Sequence, residues 1–338
     1  MRILVTGGCG FIGSFFTEEL RRRYPDATLV VLDALYDCAS EKNIAGIPGV
    51  KFYRGNLQNK DLLSLLFQQY SFNWVAHLAA QTHVDTSFHT PLQFTYDNVI
   101  GTHTLLEVIR EAGCVERMLY VSTDEVYGST SDDTPNTVDS LLEPSNPYAA
   151  TKASAEMLVK SYVHSFGLNA FIVRMNNVYG PRQYPEKMVP RFIHRILEGK
   201  PLQIQGTGQQ KRSMLYVEDA AKALVCVLEN AKTLQIVNVP SRDEITVLEA
   251  GEAISHLMEA PVRFEFVADR NFNDRRYWIH DTVLEGMGWT QETSFREGLR
   301  RTIDWYSQCD FSSYWMPPQS VYHLQTASST APSELYPA

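Results

Sequence analysis

Cysteine is scarce in this chain of 338 residues: Cys9, Cys38, Cys114, Cys226 and Cys309 are odd in number, widely spaced and form no CxxC pair. That excludes a disulfide framework and predicts free thiols in a reducing compartment, so a cytoplasmic location is expected. Histidines and cysteines fall at no convincing metal-ligand spacing, and no metal site is expected. No apolar run approaches the ~20 residues of a membrane span. Met1-Arg2 leads directly into a glycine motif, which is not how a signal peptide begins. A basic excess is also missing. The net charge of −9 argues against a dedicated nucleic-acid or anionic-membrane binder, although a local basic cluster can still hold phosphates. No internal repeat is present. What remains is ordinary apolar content over a length suited to one large α/β domain or two smaller lobes.

Residues 2–6 read as a strand that runs into Gly7-Gly8-Cys9-Gly10-Phe11-Ile12-Gly13 and then an amphipathic helix to about residue 24. Gly8, Gly10 and Gly13 fit G-x-G-x-x-G; Gly7, Gly10 and Gly13 fit a wider G-x-x-G-x-x-G frame. Glycines there allow a tight turn and let a pyrophosphate approach the backbone and the helix N-terminus. Such a motif alone is weak evidence, because a glycine-rich turn looks the same. Here it follows a strand, opens a helix and is followed by a strand over 28–32 that ends in Asp33. An acid at that distance accepts hydrogen bonds from a ribose 2′-OH. Asp33 would repel a 2′-phosphate and no arginine follows it directly, so NAD is favoured over NADP.

The alternation continues with a strand over 50–54, Gly55-Asn56-Leu57, a helix near 61–70 and a strand over 73–78 ending in Leu78-Ala79-Ala80. A long helix is expected over 91–112, then a strand at 118–121. This pattern predicts a parallel, doubly wound sheet with ligands at the carboxyl ends of its strands. At one such end stand Thr123-Asp124-Glu125, two adjacent carboxylates. In isolation an Asp-Glu pair in a loop is two solvated acids; its place after a strand end, beside the next motif, reverses that judgement. Asn146-Pro147-Tyr148-Ala149-Ala150-Thr151-Lys152 reads as a helix start, with Asn146 as N-cap and Pro147 at the first position. Tyr148 and Lys152 then lie one turn apart on one face. Bringing a phenol from its usual pKa to near neutrality takes about 4 kcal/mol, within reach of a close positive charge.

After a strand over 170–175, residues 176–187 hold too many turn formers and polar groups for a core element, and are expected to wall a cleft. Arg212 and Arg270 are candidates to clamp a second pyrophosphate, since the guanidinium fork matches phosphate oxygens; each alone would more often pair with a neighbouring acid. His77 and His83 are read as packing or cap residues, Tyr127 and Tyr179 as structural. The stretch from about Ser312 lacks periodicity and reads as a tail.

Taken together, these motifs resemble the extended short-chain dehydrogenase/reductases, and within them the nucleotide-sugar 4,6-dehydratases that act on dTDP-glucose or UDP-glucose. The glycine motif, the His-Leu-Ala-Ala run and Tyr148/Lys152 carry the superfamily. Thr123-Asp124-Glu125 and the Asn-Asn-Val-Tyr-Gly-Pro stretch carry the dehydratase branch, and Asn273-Asp274-Arg275-Arg276-Tyr277 sits closer to eukaryotic and large-virus members. The resemblance implies a Rossmann-type sheet with a smaller α/β substrate lobe: residues 1–178, with about 213–240, as the NAD domain, 179–212 and 241–310 as the lobe, and 311–338 as a tail. It implies NAD held by Gly7, Gly10, Phe11, Ile12, Gly13, Asp33, Asn56, Leu57, Leu78, Ala79, Ala80, Tyr148 and Lys152. Asn56 stands where the family generally has an aspartate for the adenine amino group. The nucleotide sugar would meet Asn177, Lys187, Arg212, Arg270 and Asn273. Tyr148 would take the C4 hydroxyl proton as hydride leaves C4, with Thr123 on the C4 oxygen and Lys152 on the nicotinamide ribose, keeping Tyr148 acidic. Glu125 would remove the C5 proton while Asp124 protonates the departing C6 hydroxyl, and hydride would return to C6. A homodimer through a four-helix interface of residues 91–112 and 148–165 is implied as well. The competing activities are a UDP-glucuronate decarboxylase or a 4-epimerase, disfavoured by Asp124, and an idle NAD-binding scaffold, disfavoured by the intact acid pair, tyrosine and lysine.

Overall fold

The computed structural model describes residues 1–130, 134–269 and 273–315. Its strands are β1 (Arg2–Thr6), β2 (Thr28–Asp33), β3 (Val50–Arg54), β4 (Trp74–His77), β5 (Arg117–Val121) and β6 (Ala170–Met175) in the first half of the chain. In the second half follow β7 (Asn177–Tyr179), β8 (Leu202–Gln205), β9 (Lys211–Tyr216), β10 (Ile236–Val239), β11 (Glu244–Thr246), β12 (Phe264–Val267) and β13 (Arg276–Tyr277). Seven of them form one parallel sheet in the order β10-β6-β5-β4-β1-β2-β3. The order reverses between β1 and β4, which opens a crevice at their carboxyl ends.

These strands read as near-continuous apolar runs because both faces of the sheet are covered. Side chains alternate across it: Ile3 and Val5 join a layer with Phe16, Leu20 and Leu224, whereas Leu4 joins Leu63, Leu105 and Val159. Helices Phe11–Arg23 and Val217–Asn230 cover the first face; Lys60–Tyr70, Gly101–Ala112 and Pro147–Phe166 cover the second. Each fully buried Leu, Ile or Phe contributes roughly 1.5–3 kcal/mol. The paired helices on the two faces therefore fix the sheet, and with it the strand ends.

The helix expected over 91–112 is continuous but not regular. Between Pro91–Phe94 and Gly101–Ala112 lies a π-helical turn, Thr95–Ile100, in which the Gly101 N–H reaches back to the Tyr96 carbonyl. The wide turn coincides with two adjacent buried polar residues, Asp97 and Asn98. A regular helix would turn neighbouring residues about 100° apart. Asn98 bonds the Gln81 backbone at both N–H (2.7 Å) and C=O (3.0 Å), and Thr151 Oγ1 at 3.0 Å. It ties the loop after β4 to the Pro147–Phe166 helix.

A second sheet is built around β9, paired antiparallel to β11 and parallel to both β13 and β7. β8 and β12 form a separate parallel pair. The chain thus leaves the large sheet after β6 and rejoins it with helix Val217–Asn230 and β10. The stretch 213–216, read from sequence as part of the larger unit, belongs instead to the second sheet. The tail also differs from expectation at its start: Phe311–Tyr314 is a short helix and Trp315 is buried. No helix among the described residues is long and apolar enough to cross a membrane.

Candidate active site

One cleft runs along the carboxyl ends of β1, β2, β4 and β5 and continues between the two sheets. Its first half is lined by the glycine loop, Asp33, Asn56, Leu57, Leu78, Ala79, Ala80, the Thr123–Glu125 turn, Tyr148, Lys152, Asn177 and Lys187. Its second half shares Glu125, Asn177 and Lys187, and adds Arg212, Asn273 and Tyr277. Every site residue expected from sequence lines this cleft except Arg270, which lies outside the described residues.

The three functional glycines do different things. Gly7 has φ +74°, and a Cβ there would stand 2.6 Å from the Ala79 nitrogen; at Gly13 it would stand 2.1 Å from the Gly7 carbonyl oxygen. Both are required by the close approach of the loop to its own helix and to β4. At Gly10 a Cβ would meet only that same oxygen, at 3.2 Å, a tight contact but a milder one than at Gly7 or Gly13. Gly8 faces Val31 instead, which selects the 7/10/13 frame over the alternative. The helix that follows has no acid in its first turn and no side-chain cap, leaving its N–H groups available to an anion.

Asp33 accepts the N–H groups of Cys9 (3.0 Å) and Leu35 (2.8 Å), and burial nevertheless raises its pKa above the ordinary carboxylate range. Among the described residues no arginine lines this half of the cleft, and its two lysines bond elsewhere, Lys152 to the Val121 carbonyl (2.6 Å) and Lys187 to that of Thr82 (2.7 Å). The donor set suits a ribose diol rather than a 2′-phosphate. Asn56 donates its amide N–H to the Tyr36 hydroxyl (2.9 Å), and its side-chain carbonyl accepts the Gln58 backbone N–H (3.0 Å). Tyr36 and Gln58 both donate to Asp97, as do Gln81 and Gln93. This polar network was not anticipated, since its members are scattered over some sixty residues of sequence.

The carboxylate pair sits in a 3₁₀ turn, Asp124–Tyr127, capped by Thr123, whose Oγ1 accepts the Glu125 N–H at 3.3 Å. The two acids are wired differently. Asp124 takes a 2.6 Å bond from the Asn176 amide and a 3.2 Å bond from the Thr123 hydroxyl. Its pKa is pushed up to about 7, first by burial and then by the charge of Glu125. Glu125 takes bonds from the Asn146 amide (3.1 Å) and the Tyr277 hydroxyl (3.4 Å), the latter also donating to Asp274 at 2.5 Å. Asn146 is the helix N-cap foreseen in the sequence, accepting the Ala149 N–H at 2.9 Å. Its second role, toward Glu125, had no sequence signal beyond proximity. Asn176 and Tyr277 lay inside motifs already singled out but were not picked.

Lys152 is buried over the Tyr120 ring, 4.4 Å from its centroid, and desolvation lowers its pKa to about 7, opposed by Glu156. Tyr148 is buried too. Desolvation and then the charges of Glu125 and Asp124 push its phenol well above the ordinary value, with the Thr123 hydrogen bond opposing them. The expected acidifying contact between Lys152 and Tyr148 is therefore not a direct bond. They share a helix face, but the ammonium is turned to the β5 carbonyl. His77, held between Thr6 (2.7 Å) and Thr102 (2.9 Å) and pushed down to about 3 by burial, is a neutral packing residue as read.

In the second half, Arg212 bonds Asn273 at 3.0 Å and lies 4.8 Å from the centroid of the Tyr277 ring. The Asn177 side-chain carbonyl oxygen is buried and has no partner among the described residues. Buried polar atoms of this kind ordinarily find partners, so one at a cleft wall fits a ligand-facing group.

Comparison with known proteins gives concordant results. Residues 4–302 match the family model described as GDP-mannose 4,6 dehydratase. A trifunctional UDP-glucose 4,6-dehydratase, 3,5-epimerase and reductase of Arabidopsis thaliana is 44% identical over 313 residues, 90% of this chain; the chain spans 47% of that protein, about half its length. The dTDP-D-glucose 4,6-dehydratase of Bos taurus is 40% identical over 91% of this chain and 89% of its own. Among solved structures, the dTDP-glucose 4,6-dehydratase of Streptomyces venezuelae with NAD bound is 35% identical, covers 94% of this chain and all of its own, and superposes with a TM-score of 0.88.

Proposed function

We propose, from the premise that this chain belongs to the GDP-mannose 4,6-dehydratase family of extended short-chain dehydrogenase/reductases, that it is an NAD-dependent hydro-lyase acting on dTDP-glucose or UDP-glucose. The observation that carries this reading is the pair Asp124 and Glu125, adjacent in one turn but held by separate partners, on the same cleft as Tyr148, Lys152 and the glycine loop. Elimination of water needs one carboxyl protonated and one ionised. Asp124, with its pKa near 7, is suited to donate; Glu125, oriented by Asn146 and Tyr277, is suited to accept.

NAD, when bound, supplies the acceptor for the C4 hydride and its return to C6. Gly7, Gly10 and Gly13 with Phe11 and Ile12 would hold its pyrophosphate, Asp33 its adenine ribose, and Asn56, Leu57, Leu78, Ala79 and Ala80 the walls around it. Lys152, fixed by the Val121 carbonyl, would donate to the nicotinamide ribose. Tyr148 would take the C4 hydroxyl proton as a phenolate; burial is the largest cause that holds this phenol up, and a protonated Asp124 removes only the smallest of the causes that raise it. Thr123 donates to the C4 oxygen. The resulting ketone acidifies C5, Glu125 takes that proton, and Asp124 gives its own to the leaving C6 hydroxyl; Glu125 then returns its proton to C5 as hydride is returned to C6. Asn177, Lys187, Arg212 and Asn273 would hold the nucleotide diphosphate, with Arg270 as a further candidate.

An NAD-binding part built on the seven-stranded sheet and a sugar-nucleotide lobe built on the two smaller sheets are part of this reading. A homodimer is supported by exposed apolar side chains on the two neighbouring helical segments: Leu92, Tyr96 and Ile100 on one, Met157 and Phe166 on the other. Five unpaired thiols support a cytoplasmic location. Incubating the purified protein separately with UDP-glucose and dTDP-glucose, without reductant, and weighing the products tests the activity. Loss of one water from either sugar nucleotide is expected, and no loss from both would overturn it.

A further inference from the structure

The segment at the end of the described chain touches the cofactor half of the cleft from outside, at two places. On one side it grips the loop after β2. The Ser40 hydroxyl donates to the Tyr314 carbonyl (2.8 Å), Lys42 Nζ to the Ser313 carbonyl (2.6 Å), and the Tyr314 hydroxyl to Asn43 Oδ1 (2.7 Å). That loop is itself part of the glycine-loop architecture. Asn43 Nδ2 donates to the Cys9 carbonyl at 2.8 Å, the Ser40 N–H to the same oxygen at 3.0 Å, and the Cys9 N–H donates to Asp33. Tyr36, Cys38 and Ala39, in the same loop, line the cleft.

On the other side the segment packs on the wall formed after β7. The buried Trp315 ring meets Tyr184 edge-on at 5.5 Å, and Tyr184 lines the cleft opposite the Asp33 loop. Trp315 is in turn wedged by Tyr314 (4.9 Å) and Trp305 (6.2 Å). A second tie runs beside it: Arg182 donates to the Asn43 carbonyl (3.2 Å) and to Glu18 (2.7 Å). The two walls of one cleft are thus joined behind it by residues far away in sequence.

We propose that residues 311–315 form a strap that clamps these walls and slows release of NAD, with Tyr314 and Trp315 as its positioning residues. The proposal rests on the NAD-dependent reading above and fits its chemistry. A reaction that returns its hydride to the substrate needs no cofactor exchange between turnovers, so a slow exit does not limit the rate. Neither side chain touches the acid pair or the Tyr148–Lys152 face, so the strap acts on retention and not on the chemical steps.

The test uses the full chain, with Tyr314→Phe removing one hydroxyl and Trp315→Ala removing the wedge. Each protein is loaded with NAD, separated from free cofactor without any sugar nucleotide present, and bound NAD is followed over time. Turnover at saturating NAD and the melting temperature without cofactor are measured in parallel. A net hydrogen bond corresponds to up to about tenfold in an equilibrium. Faster NAD loss is therefore expected, by several-fold for Tyr314→Phe and by about tenfold or more for Trp315→Ala, with turnover at saturating NAD within about twofold of the parent. Parent-like retention in both variants would overturn the strap. So would a fall in saturated turnover that matches the loss of retention, because that is general loosening. A parent that holds NAD yet dehydrates nothing sinks the dehydratase reading and leaves the strap to be judged by retention alone; a parent that cannot hold NAD sinks both.

Discussion

Asp124 keeps its proton to about pH 7 because it is buried beside another carboxylate, and the bond from Asn176 only partly offsets that. Two consequences differ in sign from those of a surface aspartate. As the proposed acid in elimination it would work below its pKa, so turnover should fall as pH rises through about 7. For stability, the folded pKa lies above the unfolded one, so the contribution is full below about pH 4 and is lost as pH rises toward 7. Asp124→Asn removes that loss. Its stability relative to the parent should be greater at pH 8 than at pH 5, by at most about 3 kcal/mol, read by denaturation at the two pH values. The same variant should still oxidise C4 but release water slowly, so a reduced-nicotinamide absorbance should build up on the enzyme when sugar nucleotide is added. Full turnover by Asp124→Asn would remove this residue from the mechanism.

Among the elements, the glycine turn and the Pro147–Phe166 helix carry the site, and they divide structural from ligand-facing demands. Gly13→Ala forces a methyl against a backbone oxygen and should lower the melting temperature whether or not cofactor is present. Gly10→Ala brings its methyl to 3.2 Å from that same oxygen, a milder approach, so that variant should lose less melting temperature than Gly13→Ala while NAD binding, read by titration, is lost. The helix is fastened beneath the site by a fully buried ion pair: Arg174 on β6 reaches Glu156 at 2.6 Å and the Tyr127 hydroxyl at 2.7 Å, and Tyr127 donates to Asn238 at 2.8 Å. This joins the acid-bearing turn, the Pro147–Phe166 helix and two strands. Glu156→Gln leaves Arg174 charged and poorly compensated, and a loss of about 3–5 kcal/mol in chemical denaturation is expected. A loss under 1 kcal/mol would show that the joint is slack. Local grammar made these elements legible in the sequence: strand, glycine turn, Asn-Pro helix start and terminal acid each depend on neighbours within a few residues. The wiring between them was not, because Asn176 to Asp124, Asn146 to Glu125 and Asp97 to its four donors join positions whose proximity only the sheet order creates.

For the whole molecule, the parallel sheet was readable from its alternation. The second sheet was not, since β7 and β13 are too short to show a period and join β9 from either side of it in sequence, across some thirty and sixty residues. The exposed Leu92, Tyr96, Ile100, Met157 and Phe166 form the apolar surface that a two-fold partner would cover. Light scattering coupled to size exclusion at micromolar concentration should give twice the mass of the chain, and Tyr96→Glu with Met157→Glu should halve it. A monomeric parent would overturn the dimer.

The π turn at Thr95–Ile100 makes this part of the chain behave like a reading frame. Upstream and downstream of it the helix is in different phase: the turn itself presents Asp97 and Asn98 to the polar network, and the segment after it packs Leu105 and Ile109 into the layer beneath the sheet. Deleting a single residue there would restore a regular helix and swing one segment by about 100° relative to the other. Either the polar network or the packed layer would then face the wrong way. Substitutions along this helix are graded in their effects; a change in its length is all or nothing.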